Sequence, residues 1–151
     1  ELDGLMSSGS KVLVVGATSA PWQLDPGICR PGRFDQCLYV GPPGEKEREE
    51  TIRAIAARRP VHSLDPVSLA RATDQFSGAD LTWVFDQATD VAISETLQRG
   101  TPVTISMKSL LTAAASHHPG AQDWLQTARR EALRQPEHRI LSDFLNRRGG
   151  R

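Results

Sequence analysis

The run Gly41-Pro42-Pro43-Gly44 constrains this chain more than any other four residues. Two consecutive prolines remove two backbone donors and lock two φ angles, and the flanking glycines favour turns, so neither a helix nor a central strand passes through them. The sequence changes character there. Upstream, residues 12–15 (Val-Leu-Val-Val) form a mostly β-branched apolar run without alternation, the pattern of a strand covered on both faces, as in a parallel sheet. Residues 36–40 read as a second short strand ending at the Gly-Pro-Pro-Gly run. Between them, residues 21–29 have room for a short helical turn only, because of Pro26 and Gly27, and Arg30-Pro31-Gly32-Arg33 makes a rigid turn displaying two arginines.

Downstream the apolar residues recur at helical spacing. A helix from Glu45 carries an acidic first turn, a Glu49–Arg53 pair and the stripe Ile52, Ile55, Ala56, until Pro60 stops it. A short helix follows, capped near Ser63 or Asp65, with Pro66 in its first turn and Leu69 and Ala70 facing inward. The strongest pattern starts at Ser77, a cap with acidic Asp80 in the first turn. Leu81, Val84, Phe85, Ala88 and Ala92 fall on one face, which predicts burial, and Gly100 ends the helix. Residues 101–106 read as extended and 108–115 as helical, with a break at His117-His118-Pro119-Gly120. A helix with Trp124, Ala128 and Ala132 along one face and a last one with Ile140, Leu141, Phe144 and Leu145 complete the chain.

Composition narrows the functional classes. The 151 residues hold 18 Lys and Arg against 18 Asp and Glu, so no global basic field exists to attract nucleic acid or an anionic membrane. No apolar run reaches the length of a membrane span, which predicts a cytoplasmic protein. The two cysteines, Cys29 and Cys37, have no companions at metal-ligand spacing and read as free thiols. The four histidines, His62, His117, His118 and His138, read as surface or loop residues, and no metal is assigned to them.

The stretch from residue 12 to 35, Val-Leu-Val-Val-Gly-Ala-Thr-Ser-Ala-Pro-Trp-Gln-Leu-Asp-Pro-Gly-Ile-Cys-Arg-Pro-Gly-Arg-Phe-Asp, resembles the second region of homology of AAA ATPases. The resemblance resumes at residues 76–81, Phe-Ser-Gly-Ala-Asp-Leu, where that family starts a helix of its nucleotide lid. It implies an α/β fold class: a partial parallel sheet of a P-loop-type ATPase core over residues 1–43, an all-α helical lid over 44–115, and a C-terminal helical extension over 116–151. A looser likeness connects Pro21-Trp22-Gln23-Leu24-Asp25 and the helix at Asp123-Trp124 to the katanin, spastin and valosin-containing-protein branches. Core packing is the simpler account of both tryptophans.

The resemblance also implies roles. Arg30 and Arg33 match the paired arginine fingers that reach the γ-phosphate held by a neighbouring subunit. A planar, permanently charged guanidinium suits that task, and such fingers are worth roughly 10³ to 10⁵ in rate in nucleotide hydrolases. Alone, two arginines on a Pro-Gly turn would read as solvated surface charge. Ser19 stands where the family usually carries an asparagine that senses the γ-phosphate; its shorter side chain offers one donor proton, so it reads equally as a sensor or as a plain loop residue. Gly78 and Ala79 match positions that lie against adenine, and the same letters also serve to cap a buried helix. Ile55 replaces a histidine that touches the ribose in many relatives.

ATP with Mg²⁺ is thus the implied cofactor, but no Gly-Lys-Ser or Gly-Lys-Thr run and no apolar strand ending in Asp-Glu occurs to hold phosphates and magnesium. Those motifs, with the magnesium ligands, are expected in an N-terminal half upstream of Glu1, and the chain by itself is expected not to hydrolyse ATP. The expected setting is a homo-oligomeric ring, a hexamer, that unfolds or disassembles a protein client. The alternative is a truncated, non-hydrolysing accessory subunit that docks on a complete AAA partner.

Overall fold

The computed structural model describes residues 13–25, 27–29, 32–34, 36 and 38–134. The chain divides into two compact units, one spanning Gly41–Leu125 and the other taking the residues on either side of it.

The Gly41–Leu125 unit is helical. Its elements are α1 (Glu45–Ala56), α2 (Pro66–Ala72), α3 (Gly78–Arg99), α4 (Met107–Ser116) and the start of α5 (Gly120–Arg134). Helix α1 packs on α2 and α3, and α4 packs on α3 and α2, so four helices close around one core. Ile52 of α1, Leu69 of α2, Leu81, Val84 and Phe85 of α3 and Leu110 of α4 are all fully buried there. Each such side chain contributes about 1.5–3 kcal/mol relative to exposure. The stripe of α1 and the inward face of α3 are the ones the periodicity predicts.

The helix ends follow local chemistry. In α1 the Glu47 carboxylate accepts from the Gly44 amide at 2.5 Å, and the Glu49–Arg53 pair forms at 2.7 Å. Asp65, not Ser63, caps α2, accepting from the Ser68 amide at 3.1 Å with Pro66 as the first helical residue. Gly100 ends α3 in the left-handed region at φ 69°, its amide bonded to the Thr96 carbonyl at 2.9 Å. Ser106 caps α4 by accepting from the Ser109 amide at 3.1 Å.

The predicted parallel sheet does not form among the described residues. Among the described residues there is no strand; the sole β feature is an isolated parallel bridge between Val61 and Ile105, closed by His62 N–H to the Ile105 carbonyl and Ile105 N–H to the Pro60 carbonyl, both 2.9 Å. The 101–106 stretch is thus extended as expected, with Ile105 delivered to the core at 1% exposure. The segments at 13–15 and 38–40, by contrast, lie outside any ladder. Leu13 and Val15 are 87% and 80% exposed, and Leu38 and Val40 are 89% and 90% exposed. An apolar β-branched run records a preference for extended backbone, whereas a sheet exists only where another strand supplies the donors and acceptors. The α/β fold class is therefore corrected to an all-helical one for the described residues.

The second unit is held locally. A 3-10 turn spans Pro21–Gln23. Asp25 accepts from the Gly27 amide at 2.7 Å, and the Phe34 amide closes the following loop on the Ile28 carbonyl at 3.2 Å. Gly32 takes φ 87°, a conformation that side chains resist and that this turn requires. Gly16 approaches the Phe34 ring so closely that a Cβ would stand 3.3 Å from its Cε1 and Cζ atoms. Val12, Cys37, Pro26 and the helix expected at Ile140–Leu145 lie outside the described residues.

Candidate functional site

The first turn of α3 gathers the best-defined polar cluster. Ser77 Oγ accepts from the Asp80 amide at 3.2 Å, while Asp80 Oδ2 accepts from the Ser77 amide at 2.8 Å and from the Ser77 hydroxyl at 2.7 Å. This reciprocal box satisfies donors that a helix start leaves unpaired and places a carboxylate at the positive end of the dipole. The other carboxylate oxygen, Oδ1, meets His117 Nε2 at 2.7 Å, from 37 residues away.

Burial pushes the Asp80 carboxyl up, but the bonds from His117 and from the Ser77 amide and hydroxyl outweigh it and leave it below the ordinary carboxylate value of 3.8. Asp80 is therefore ionised at neutral pH and can only accept, so His117 Nε2 carries the proton between them. The imidazole is also fixed by rings: it stacks on Trp83 at 4.3 Å with planes 27° apart and meets Phe76 edge-on at 5.3 Å.

Serine, aspartate and histidine together invite comparison with a hydrolytic triad, and the geometry excludes one. In a triad the imidazole stands between serine and carboxylate. Here both Ser77 and His117 point at Asp80, and no imidazole faces the serine hydroxyl. The cluster orders a helix start.

Gly78 and Ala79, the positions matched to adenine contact, are the first two residues of α3, and both are exposed. A Cβ built on Gly78 would meet nothing within 4 Å, so a flat ring has open approach to the backbone there. Ser19 and Arg33 belong to the other unit and are both exposed. Within that unit the Gly16–Phe34 approach brings the loop leading to Ser19 up to the turn carrying Arg33. Arg33 Nη1 donates to the Gly27 carbonyl at 3.0 Å, a bond that fixes how the guanidinium leaves the turn. Arg30 lies outside the described residues.

The structure adds to the sequence reading in three places. His117, read as a surface or loop histidine, lies in the loop after α4 and is half-buried there against a carboxylate and two rings. Trp22 and Trp124 are half-buried and not core residues. Arg48, in the run Glu45-Lys46-Glu47-Arg48, is 5% exposed. Its Nε donates to the Ala70 carbonyl at 3.1 Å and its Nη1 to the Pro43 carbonyl at 2.8 Å, tying α1 to α2 and to the Gly-Pro-Pro-Gly turn. The partners of Arg48 and His117 are distant in sequence or follow a break, so periodicity carries no sign of them. The one sequence signal was the polar His117 at the end of an otherwise apolar helix face.

Cys29 is a free thiol. Among the described residues no helix is long and apolar enough to cross a membrane, and no group of three or more His, Cys, Asp or Glu side chains is placed to hold a metal ion. No protein-family model matches the chain.

Proposed function

We propose that this chain is the finger-and-lid portion of an AAA-type ATPase that couples ATP binding and hydrolysis to protein unfolding or complex disassembly, within a cytoplasmic homo-hexameric ring. The observation that carries this reading is the start of α3: a well-capped helix with a buried inner face presents Gly78 and Ala79 outward, with open space above the glycine. A purine ring needs such a small-residue platform. Arg33 supports the second half of the reading, since it is exposed on a tight turn whose geometry depends on Gly32.

The residues present fit the base and the fingers, and not the phosphates or Mg²⁺: the sequence has no Gly-Lys-Ser or Gly-Lys-Thr run. When bound, ATP with Mg²⁺ supplies the phosphoryl group transferred to water. What this chain contributes is a platform for adenine at Gly78 and Ala79, a polar hydroxyl at Ser19, and the positive charge of Arg30 and Arg33 toward a neighbouring subunit's γ-phosphate.

Two measurements test it. In the 151-residue chain, ATP added at millimolar concentration is expected to shift the amide NMR signals of Gly78 and Ala79, and Ala79→Trp to remove the response; shifts absent there, or matched by uridine triphosphate, count against the platform. In a hydrolysing assembly that contains this chain, Arg33→Ala is expected to lower kcat by about 10³ with nucleotide affinity kept. Unchanged turnover overturns the finger assignment.

A further inference from the structure

The Asp80 carboxylate lies where three helices come together. It belongs to the first turn of α3, it holds His117, the residue that ends α4, and it stands 3.9 Å from where a Cβ on Gly120, the first residue of α5, would be. All of these lie within the Gly41–Leu125 unit. The His117 ring contacts Phe76, Asp80 and Trp83, three residues that bracket Gly78 and Ala79 on both sides. With the Asp80 and His117 side chains only 12% and 21% exposed, water competes weakly for this bond.

We infer that His117 is a positioning residue that sets the conformation of the α3 N-terminal turn, so that movement of the α4–α5 connection is passed to Gly78 and Ala79. The physical route is short. Asp80 holds the helix start through one carboxylate oxygen and His117 through the other, so displacement of residues 117–120 either pulls the carboxylate off the Ser77 amide or breaks the His117 bond. Either change alters the backbone that carries Gly78 and Ala79. As regulation of adenine contact, this rests on the proposed nucleotide reading; as control of the α3 start, it stands without it.

The alternative is that His117 fills space and its bond to Asp80 governs nothing local. Amide hydrogen exchange on the 151-residue chain separates the two. His117→Ala is expected to speed exchange of the Asp80 to Val84 amides by about tenfold, while the α1 amides keep their wild-type rates. His117→Gln, whose side-chain amide still donates to Asp80, is expected to restore most of the protection. Uniform acceleration across the unit, or Gln behaving like Ala, overturns the inference. Adding ATP gives the second readout: if the wild-type chain shows no response at Gly78 and Ala79, the nucleotide reading fails while the exchange result still decides the role of His117. If ATP does respond, His117→Ala is expected to weaken it by about tenfold, and an unchanged affinity overturns the regulatory part.

Discussion

Arg48, which no periodicity in the sequence singles out, takes its role from the fold. It follows Glu45, Lys46 and Glu47 in the first turn of α1. In the structure its guanidinium reaches the Ala70 carbonyl at the end of α2 and the Pro43 carbonyl before α1. Its ion pair with Asp74, at 3.4 Å, adds little, because the Asp74 side chain is 74% exposed. The two carbonyls matter more, since a buried carbonyl that loses its donor bears a desolvation cost. Arg48→Met is therefore expected to destabilise the helical unit by about 2–4 kcal/mol in urea denaturation. Arg48→Lys should recover only part, because a single ammonium lacks the fork that spans two separated acceptors. The histidine that α4 presents at its end belongs to the same class: neither side chain is remarkable locally, and each is fixed by a partner on another helix.

At the scale of elements, α3 was the most legible. Its cap, its buried face and its glycine stop are all encoded within the 22 residues of the helix and its flanks, by rules that act over one or two turns. The Asp80 bonds make this helix start sensitive to acid, and the sign is fixed. A carboxyl held below its ordinary value binds protons less readily in the folded state than in the unfolded one. Its contribution is complete above about pH 4, near the unfolded value, and is lost as pH falls through the folded value. Asp65, held low by the Ser68 hydroxyl and amide, works in the same direction at the start of α2. Asp80→Asn is expected to lower stability at pH 7 and to flatten the fall of stability between about pH 4 and 2, read from urea midpoints across that range. A variant with an acid limb as steep as wild type would show that Asp80 is not among the groups responsible.

For the molecule as a whole, the segments that failed to become strands have the largest consequence. Leu13, Val15, Leu38 and Val40 are all at least 80% exposed, an arrangement that invites association with other chains. Replacing Val15 and Val40 by Lys is expected to reduce concentration-dependent self-association, measured by analytical ultracentrifugation, without shifting the unfolding midpoint of the helical unit. A loss of helical stability on these changes would mean that the segments are needed by the Gly41–Leu125 core. That core has its own buried residues from α1 to α4, and the sequence reading of their faces holds at Ile52, Leu69, Ala70, Leu81, Val84, Phe85, Ala88 and Ala92.

The sequence by itself determined where α1 and α3 begin, where glycine ends α3, which faces of α1, α2 and α3 turn inward, and where the chain must bend at Gly41–Gly44. Those features depend on side chains within a turn or two of one another, and propensity, capping and periodicity report them directly. Tertiary structure alone decided that the apolar runs near residues 13–15 and 38–40 have no ladder among the described residues, that Arg48 is buried, and that His117 grips the start of α3. Strand pairing, burial of a charge and a bond spanning 37 residues each depend on a partner that local sequence does not specify.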